Sequence, residues 1–364
     1  EAYQKTQGGE EEVFKAQFAL ARIYAEEENF DKSLSIYREI MSGESKELES
    51  YARSARAGLI QKTLEKGNWE LRVGEVKLAL KTFLQLIEFS PQTVRAHRGY
   101  LQATAALGKR AVRFYQDRVK SRPDSAVDHY ALGLALTYLN PPALDEAQAE
   151  IGKALQLNSQ EVFYHQTLGG IYEQKERVEP GFLEKALHEY QIALALNDGD
   201  SRNEADLLLN LGNGHYLLNN PLSAYHYYKK REDSKEPFLN VDREAVYRQR
   251  YGSAAFKSGY SQSAVAQFKK ALKIEEKKNA LDRMAQLHDR IALAYQDHKD
   301  YARAVEHFTK TLELNRQAGK EVSFSRTLRN IANNIYSGNQ KERDSEEMAR
   351  ALNHYFQAIE KLEQ

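Results

Sequence analysis

Residues 252–275 read GSAAFKSGYSQSAVAQFKKALKIE, and four positions in this stretch decide the fold: Gly252, Ala264, Phe268 and Ala271. The glycine precedes the first alanine by 12 residues, and that alanine precedes the aromatic by 4. The same frame returns at Gly212, Ala224 and Tyr228. It returns at Gly99, Ala111 and Tyr115, with Pro123 behind it, and at Ala292, Ala304 and Phe308, with alanine in the glycine position. Segments 206–218 and 263–275 carry apolar residues at i, i+3, i+4 and i+7, the spacing of one helical face. Asn219-Asn220-Pro221, Ser258-Gly259-Tyr260 and Lys299-Asp300 part these segments with residues that stop one helix and start the next. No stretch alternates for long, so no sheet is expected. The small residue in the first helix of each pair lets the second helix approach, and the aromatic fills the space beyond. One pair cannot bury both of its faces, so the pairs must stack.

Carried along the chain, the frame places the first small residue of successive units at Ala21, Gly58, Gly99, Gly133, Gly169, Gly212, Gly252, Ala292 and Ala332, nine units whose last three steps are 40 residues each. These residues resemble the tetratricopeptide repeat (TPR), whose pattern is W-x2-L-G-x2-Y…A-x3-F…P. Leu168-Gly169-x2-Tyr172, Leu211-Gly212, Leu132-Gly133 and Pro123 carry the match, and the resemblance spans roughly residues 13 to 362. It implies an all-α solenoid of helix-turn-helix units in a right-handed superhelix. Residues 1–12 are then the tail of a preceding helix or a linker, and residues 13–364 one continuous array. The longer steps are similar to the extended repeats of signalling scaffolds and peptide receptors. The chain also departs from the pattern. No tryptophan fills the first slot, Trp69 falls in an insertion at 65–74, and Arg118 stands in an alanine slot. Insertions in units two, four, five and nine, including Asn140-Pro141-Pro142 and 337–345, are expected to bulge between helices.

Composition narrows the chemistry. The chain has 364 residues, no cysteine, and 52 basic against 52 acidic side chains. That excludes a disulfide scaffold, a thiolate–zinc site and a cysteine nucleophile. It disfavours bulk nucleic-acid or membrane-surface binding. No apolar run spans a bilayer. There is no phosphate loop and no HExxH helix, and Gly212-Asn213-Gly214 lacks the rest of a dinucleotide site. The ten histidines are scattered, with no pair at metal-ligand spacing. No cofactor, metal or catalytic residue is expected. The chain begins at Glu1 without an initiator methionine, which suits a processed product or a piece of a longer array. Its last apolar helix, 349–362, has no cap after it, so the ends would meet a partner, a longer array or a second copy.

What remains is surface. By resemblance, ligand contacts come from first-helix slots around the small residue. Those slots hold Tyr100, Tyr130 and Tyr138 in units three and four. In units six to nine they hold Asn213, Tyr216, Gln249, Ser253, Phe256, Asp289, Arg326, Arg329, Asn333 and Tyr336. Asn213 and Asn333 can meet an extended peptide backbone as donor and acceptor. Tyr216 and Phe256 either supply contact area or pack against the next unit. The lysine–asparagine clamp of repeats that hold a C-terminal carboxylate is not reproduced. A second surface is electrostatic. Residues 95–122 hold eight basic side chains (Arg95, Arg98, Lys109, Arg110, Arg113, Arg118, Lys120 and Arg122) against the single Asp117. The first 50 residues hold 12 acidic against 6 basic. The patch is either a solvated outer face or the complement of an acidic partner or of another copy; nucleic acid is disfavoured for want of stacking aromatics. The expected function is a non-catalytic scaffold that holds a peptide or protein partner in its concave groove and assists assembly of a larger complex. The alternatives are a peptide-responsive regulatory receptor and an accessory domain of a larger enzyme. Composition fits a bacterial protein, cytoplasmic or periplasmic.

Overall fold

A computed structural model describes residues 10–27, 29–41, 49–90, 93–238, 240–320 and 324–338, together with 346, 349, 350, 353, 354, 356 and 357. Among the described residues the secondary structure is all α-helix, without a strand. The chain divides between Asn197 and Asp198 into two compact units.

The second unit shows the repeat at its most regular. It holds α11 (Ser201–Leu217), α12 (Pro221–Asp233), α13 (Val241–Lys257), α14 (Ser261–Lys277), α15 (Leu281–Asp297), α16 (Tyr301–Gln317) and α17 (Phe324–Gly338), each packed on its sequence neighbours. From α13 to α16 every helix has 17 residues and every turn three, which is why the repeat steps there equal 40. The turns are set by backbone conformation. Asn219, Gly259 and Lys299 take positive φ at the same place in successive pairs, and Asn279 and Gly319 do so between pairs. Helix starts are capped: Asn220, Asn240 and Asp300 accept from the N–H groups of Ser223, Arg243 and Arg303.

The glycine–aromatic frame is a close approach of helices. A Cβ on Gly212 would lie 2.6 Å from the Tyr228 ring, and one on Gly252 2.6 Å from the Phe268 ring. Both aromatics are fully buried. Gly252→Val is therefore expected to cost about 1–3 kcal/mol by overpacking. Gly152 lies within a helix with nothing near a would-be Cβ, so Gly152→Ala is expected to stabilise by about 0.5–1 kcal/mol. Thermal melts of the two variants would check both signs.

The first unit holds α1 (Glu10–Glu26), α2 (Phe30–Met41), α3 (Glu49–Arg72), α4 (Val76–Phe89), α5 (Val94–Leu107), α6 (Lys109–Ser121), α7 (Ala126–Thr137), α8 (Leu144–Leu157), α9 (Val162–Glu176) and α10 (Leu183–Leu196). Gly133 faces Ile151 and Gly169 faces Tyr190, as the frame expects. The structure departs from the sequence expectation at the 65–74 insertion, at Gly58 and at Gly99. The insertion at 65–74 does not bulge out. It lengthens α3 to 24 residues, and Trp69 packs inside that helix against Phe30, ring centroids 6.2 Å apart. The frame also shifts in unit two. Gly58 faces Tyr37 of the preceding helix, and it is Gly67 that faces the aromatic of its own pair, Phe83, with Ala79 between them in the frame's spacing. Gly58 and Gly67 lie nine residues apart. At about 100° per residue that is half a turn, so they occupy opposite faces of α3. Gly99 likewise faces back to Phe83 rather than forward to Tyr115. Only Gly108 joins α5 to α6; α5 packs chiefly on α4, and α6 on α7.

The insertions of units four and five do form loops. Residues 138–143 part α7 from α8 and residues 177–182 part α9 from α10. In the second loop the Glu176 carboxylate accepts from the N–H groups of Gly181, Phe182 and Leu183 at 2.6–3.0 Å, fixing the entry into α10. The expected helical tail at 1–5 and nearly all of the insertion at 337–345 lie outside the described residues, as does about half of the helix expected at 349–362.

Candidate functional site: a polar cavity on α15–α17 and a divided basic patch

The residues read as a groove separate into three groups. Tyr100 and Tyr130 are core, at 0% and 2% exposure. The Tyr100 hydroxyl donates to the Ala131 carbonyl at 3.1 Å, and the Tyr130 hydroxyl lies 2.9 Å from Nδ1 of His97. Neither tyrosine lines a surface, because Tyr100 packs toward α7 and Tyr130 between α5 and α9; Tyr138 is exposed.

A second group, in the other unit, is partly committed to structure. Oδ1 of Asn213 accepts from the Tyr228 hydroxyl at 2.8 Å, so a ligand would meet chiefly its amide donors. Ser253 is buried; its hydroxyl donates to the Gln249 carbonyl at 2.9 Å and accepts from Arg290. Tyr216 and Phe256 are half-buried against the core, and Arg250 and Lys257 stand over the Tyr216 ring. Both rings therefore pack against the core of this unit.

The third group gathers around Asp289. Arg326 reaches it at 3.6 Å, while Arg329, Asn333 and Tyr336 are exposed along α17. A cavity of about 310 Å³ opens here, lined among others by Gln286, Asp289, Arg290, Asn315, Lys320 and Arg326. Asp289 lines this cavity, and its Oδ1 is buried with no hydrogen-bond partner. Burial raises its pKa, against the pull of Arg326 and Arg290. The cavity wall therefore holds a carboxylate with one unpartnered oxygen and basic donors beside it. Reading by slots reached Asp289 and Arg326. It missed Gln286, Arg290, Asn315 and Lys320, because these come from other turns of α15, from the end of α16 and from the turn after it.

The basic patch divides. Nε of Arg118 and Nε of Arg122 donate to the two carboxylate oxygens of Asp128 at 2.6 and 2.7 Å. Each also donates to Glu88, at 3.1 and 2.8 Å. Asp128 is fully buried at the start of α7, so these two arginines tie the C-terminal end of α6 to α7 and, through Glu88, to α4. Arg118 in an alanine slot is thereby explained. Arg95 is exposed and bonds Gln61 at 3.2 Å, and the Arg98 side chain lies outside the described residues. Lys109, Arg110, Arg113 and Lys120 remain on the surface.

Two histidines are likewise held by carboxylates on a neighbouring helix. His129 sets Nδ1 2.6 Å from Glu150 and Nε2 2.8 Å from the Pro123 carbonyl. His165 repeats this with Glu189 at 2.7 Å and the Ser159 carbonyl at 3.1 Å. Both stand four residues before the glycine of their unit. Among the described residues no group of three or more histidine or carboxylate side chains is placed to hold a metal, and no helix is long and apolar enough to cross a membrane.

The family model of the tetratricopeptide repeat matches residues 245–278 and 285–317, the pairs α13–α14 and α15–α16. No curated protein matches the chain. Among solved structures, the chain is similar to YrrB, described as a TPR protein with an unusual peptide-binding site, at 20% identity, covering 56% of this chain and 92% of that one, TM-score 0.45. It is similar to MamA at 21% identity, covering 52% and 93%, TM-score 0.38. It is similar to the APC/C hetero-tetramer Cut9–Hcn1 at 15% identity, covering 98% and 78%, TM-score 0.43. The chain therefore carries tetratricopeptide repeats at α13–α14 and α15–α16, within an all-α solenoid whose two units share the same small-residue and aromatic packing.

Proposed function

We propose that the chain is a non-catalytic protein-interaction scaffold that holds an extended segment of a partner protein along α15 and α17 and so assists assembly of a larger complex. The observation that carries this reading is the buried, unpartnered Oδ1 of Asp289 beside Arg290 and Arg326 in the polar cavity. A buried acceptor left unsatisfied costs about 1–3 kcal/mol, which a ligand N–H would restore. A peptide backbone offers alternating N–H and C=O groups, matching an acceptor flanked by donors. Asn213, Tyr216, Arg329, Asn333 and Tyr336 add polar and aromatic contact area on the same unit.

The test is affinity recovery of partners by the wild type, by Asp289→Ala, and by the triple variant Asn213→Ala, Tyr216→Ala, Arg329→Ala. Asp289→Ala is expected to weaken recovery at least about tenfold, with the triple variant also impaired. Equal recovery by all three proteins would contradict the assignment.

A further inference from the structure

The cations that the Asp128 network leaves over form a second surface, on the other unit and built differently. On α6, Lys109, Arg110 and Arg113 are exposed, and on α4 so are Lys77 and Lys81. None of the five makes an ion pair with a described residue. The local carboxylates explain why. Helix α4 carries only Glu88, which Arg118 and Arg122 occupy, and α6 carries only Asp117. Between the two rows lies a cavity of about 220 Å³ lined by Lys77, Leu80, Leu107, Arg110, Arg113 and Phe114. Its floor is apolar: Leu80 is buried, Leu107 half-buried, and Phe114 is 39% exposed while its edge packs on Tyr115, centroids 4.9 Å apart.

Each feature limits the occupant. Unpaired cations on both sides call for carboxylates. The cavity is below the roughly 300–1,000 Å³ of a small-molecule site, and suits one large apolar side chain. Single-stranded nucleic acid wants a row of ring faces for successive bases, whereas Phe114 is the one aromatic lining this cavity.

We propose that this face docks an acidic segment of a partner protein, seating one leucine-sized or phenylalanine-sized side chain among Leu80, Leu107 and Phe114 and pairing its carboxylates with Lys77, Arg110 and Arg113. The apolar side chain fixes register, and the charges speed encounter and reject basic partners. This surface is independent of the Asp289 cavity.

The experiment is fluorescence anisotropy with three labelled probes: a short Asp/Glu-rich peptide with a central leucine, the same peptide with glycine there, and a single-stranded oligonucleotide of equal charge. The proteins are the wild type, Arg110→Glu/Arg113→Glu, Lys120→Glu and Asp289→Ala, with circular dichroism to confirm equal helicity. The leucine peptide is expected to bind best. It should lose about tenfold or more on change to glycine and about thirtyfold with the double charge reversal. Lys120→Glu and Asp289→Ala should bind within about twofold of the wild type, because Lys120 lies outside the cavity and Asp289 serves the other surface. Equal binding of the glycine peptide, tighter binding of the oligonucleotide, insensitivity to the double reversal, or no peptide binding at about 1 mM would each overturn the proposal.

Discussion

Asp128→Ala lowers the stability of the first unit by about 3 kcal/mol, with hydrogen exchange accelerated in α6 and α7. Asp128 is fully buried and holds both Arg118 and Arg122 through separate oxygens. Breaking a buried pair by removing one partner costs about 3–5 kcal/mol, because the other charge is left uncompensated. The lower end applies here. The two arginines keep Glu88 and remain partly exposed, so water can reach them. Lys153→Ala is the control: its bond to Glu150 joins an exposed lysine one helical turn away, and its loss should cost under about 0.5 kcal/mol. Since stacked repeats couple mainly to their neighbours, the change should fade toward α1. Uniform loosening of the whole unit, or a cost no larger than that of Lys153→Ala, would show that the network does not hold these pairs together.

Acidification loosens α15 and α16. His288 and His307 are both buried, and their Nδ1 atoms face each other at 2.8 Å. That bond needs one proton between two neutral rings. A second proton would place two N–H groups against each other in an interior site. Burial lowers both pKa values to about 4; for His288 the neighbouring His307 and Lys310 act the same way, and for His307 Glu306 opposes. Lys269 of α14 adds positive charge at His307, and Tyr295 stacks on its ring. In the unfolded chain each histidine titrates near 6.5. Between about pH 6.5 and 4 the unfolded state therefore binds more protons, and stability falls as pH falls, by about 3 kcal/mol for each of the two histidines once it is protonated. His165 has the opposite sign. Burial opposes its charge, but the bonds to Glu189 and to the Ser159 carbonyl outweigh that and raise its pKa. Its contribution to α9 and α10 is present at low pH and lost as pH rises through the raised value. Hydrogen exchange across pH 4.5 to 7.5, corrected for intrinsic rates, should show α15–α16 losing protection toward acid, and His288→Leu/His307→Leu should remove that dependence. Unchanged protection of α15–α16 at pH 4.5 would contradict it.

Much of the fold was legible because the signal is steric. A glycine that must admit a ring leaves a mark at fixed spacing, and Gly212–Tyr228 and Gly252–Phe268 are such pairs. The equal 40-residue steps are equally mechanical, set by helices of one length and turns with a left-handed residue in each. The frame slipped at Gly58 because α3 carries two glycines on opposite faces, and spacing alone does not say which neighbour each one meets. The candidate sites were less legible. Tyr100 and Tyr130 stand in surface slots by count yet are buried. Arg118 and Arg122 read as free charge in a run of basic residues, while their partners, Glu88 and Asp128, lie on other helices. Lys77 and Lys81 were overlooked for the same reason: they join Arg110 and Arg113 only across α4 and α6. Charge counted along the chain does not show which ions are already paired.

The central claim is that the chain holds its partner against the Asp289 cavity. The direct measurement is site-specific photo-crosslinking from Gln286, which is exposed and lines that cavity, with a matched probe at the exposed Lys273 of α14. The account predicts a discrete crosslink from Gln286 that disappears in Asp289→Ala, and none from Lys273. Equal crosslinking from both positions, or a Gln286 product unaffected by Asp289→Ala, would contradict it.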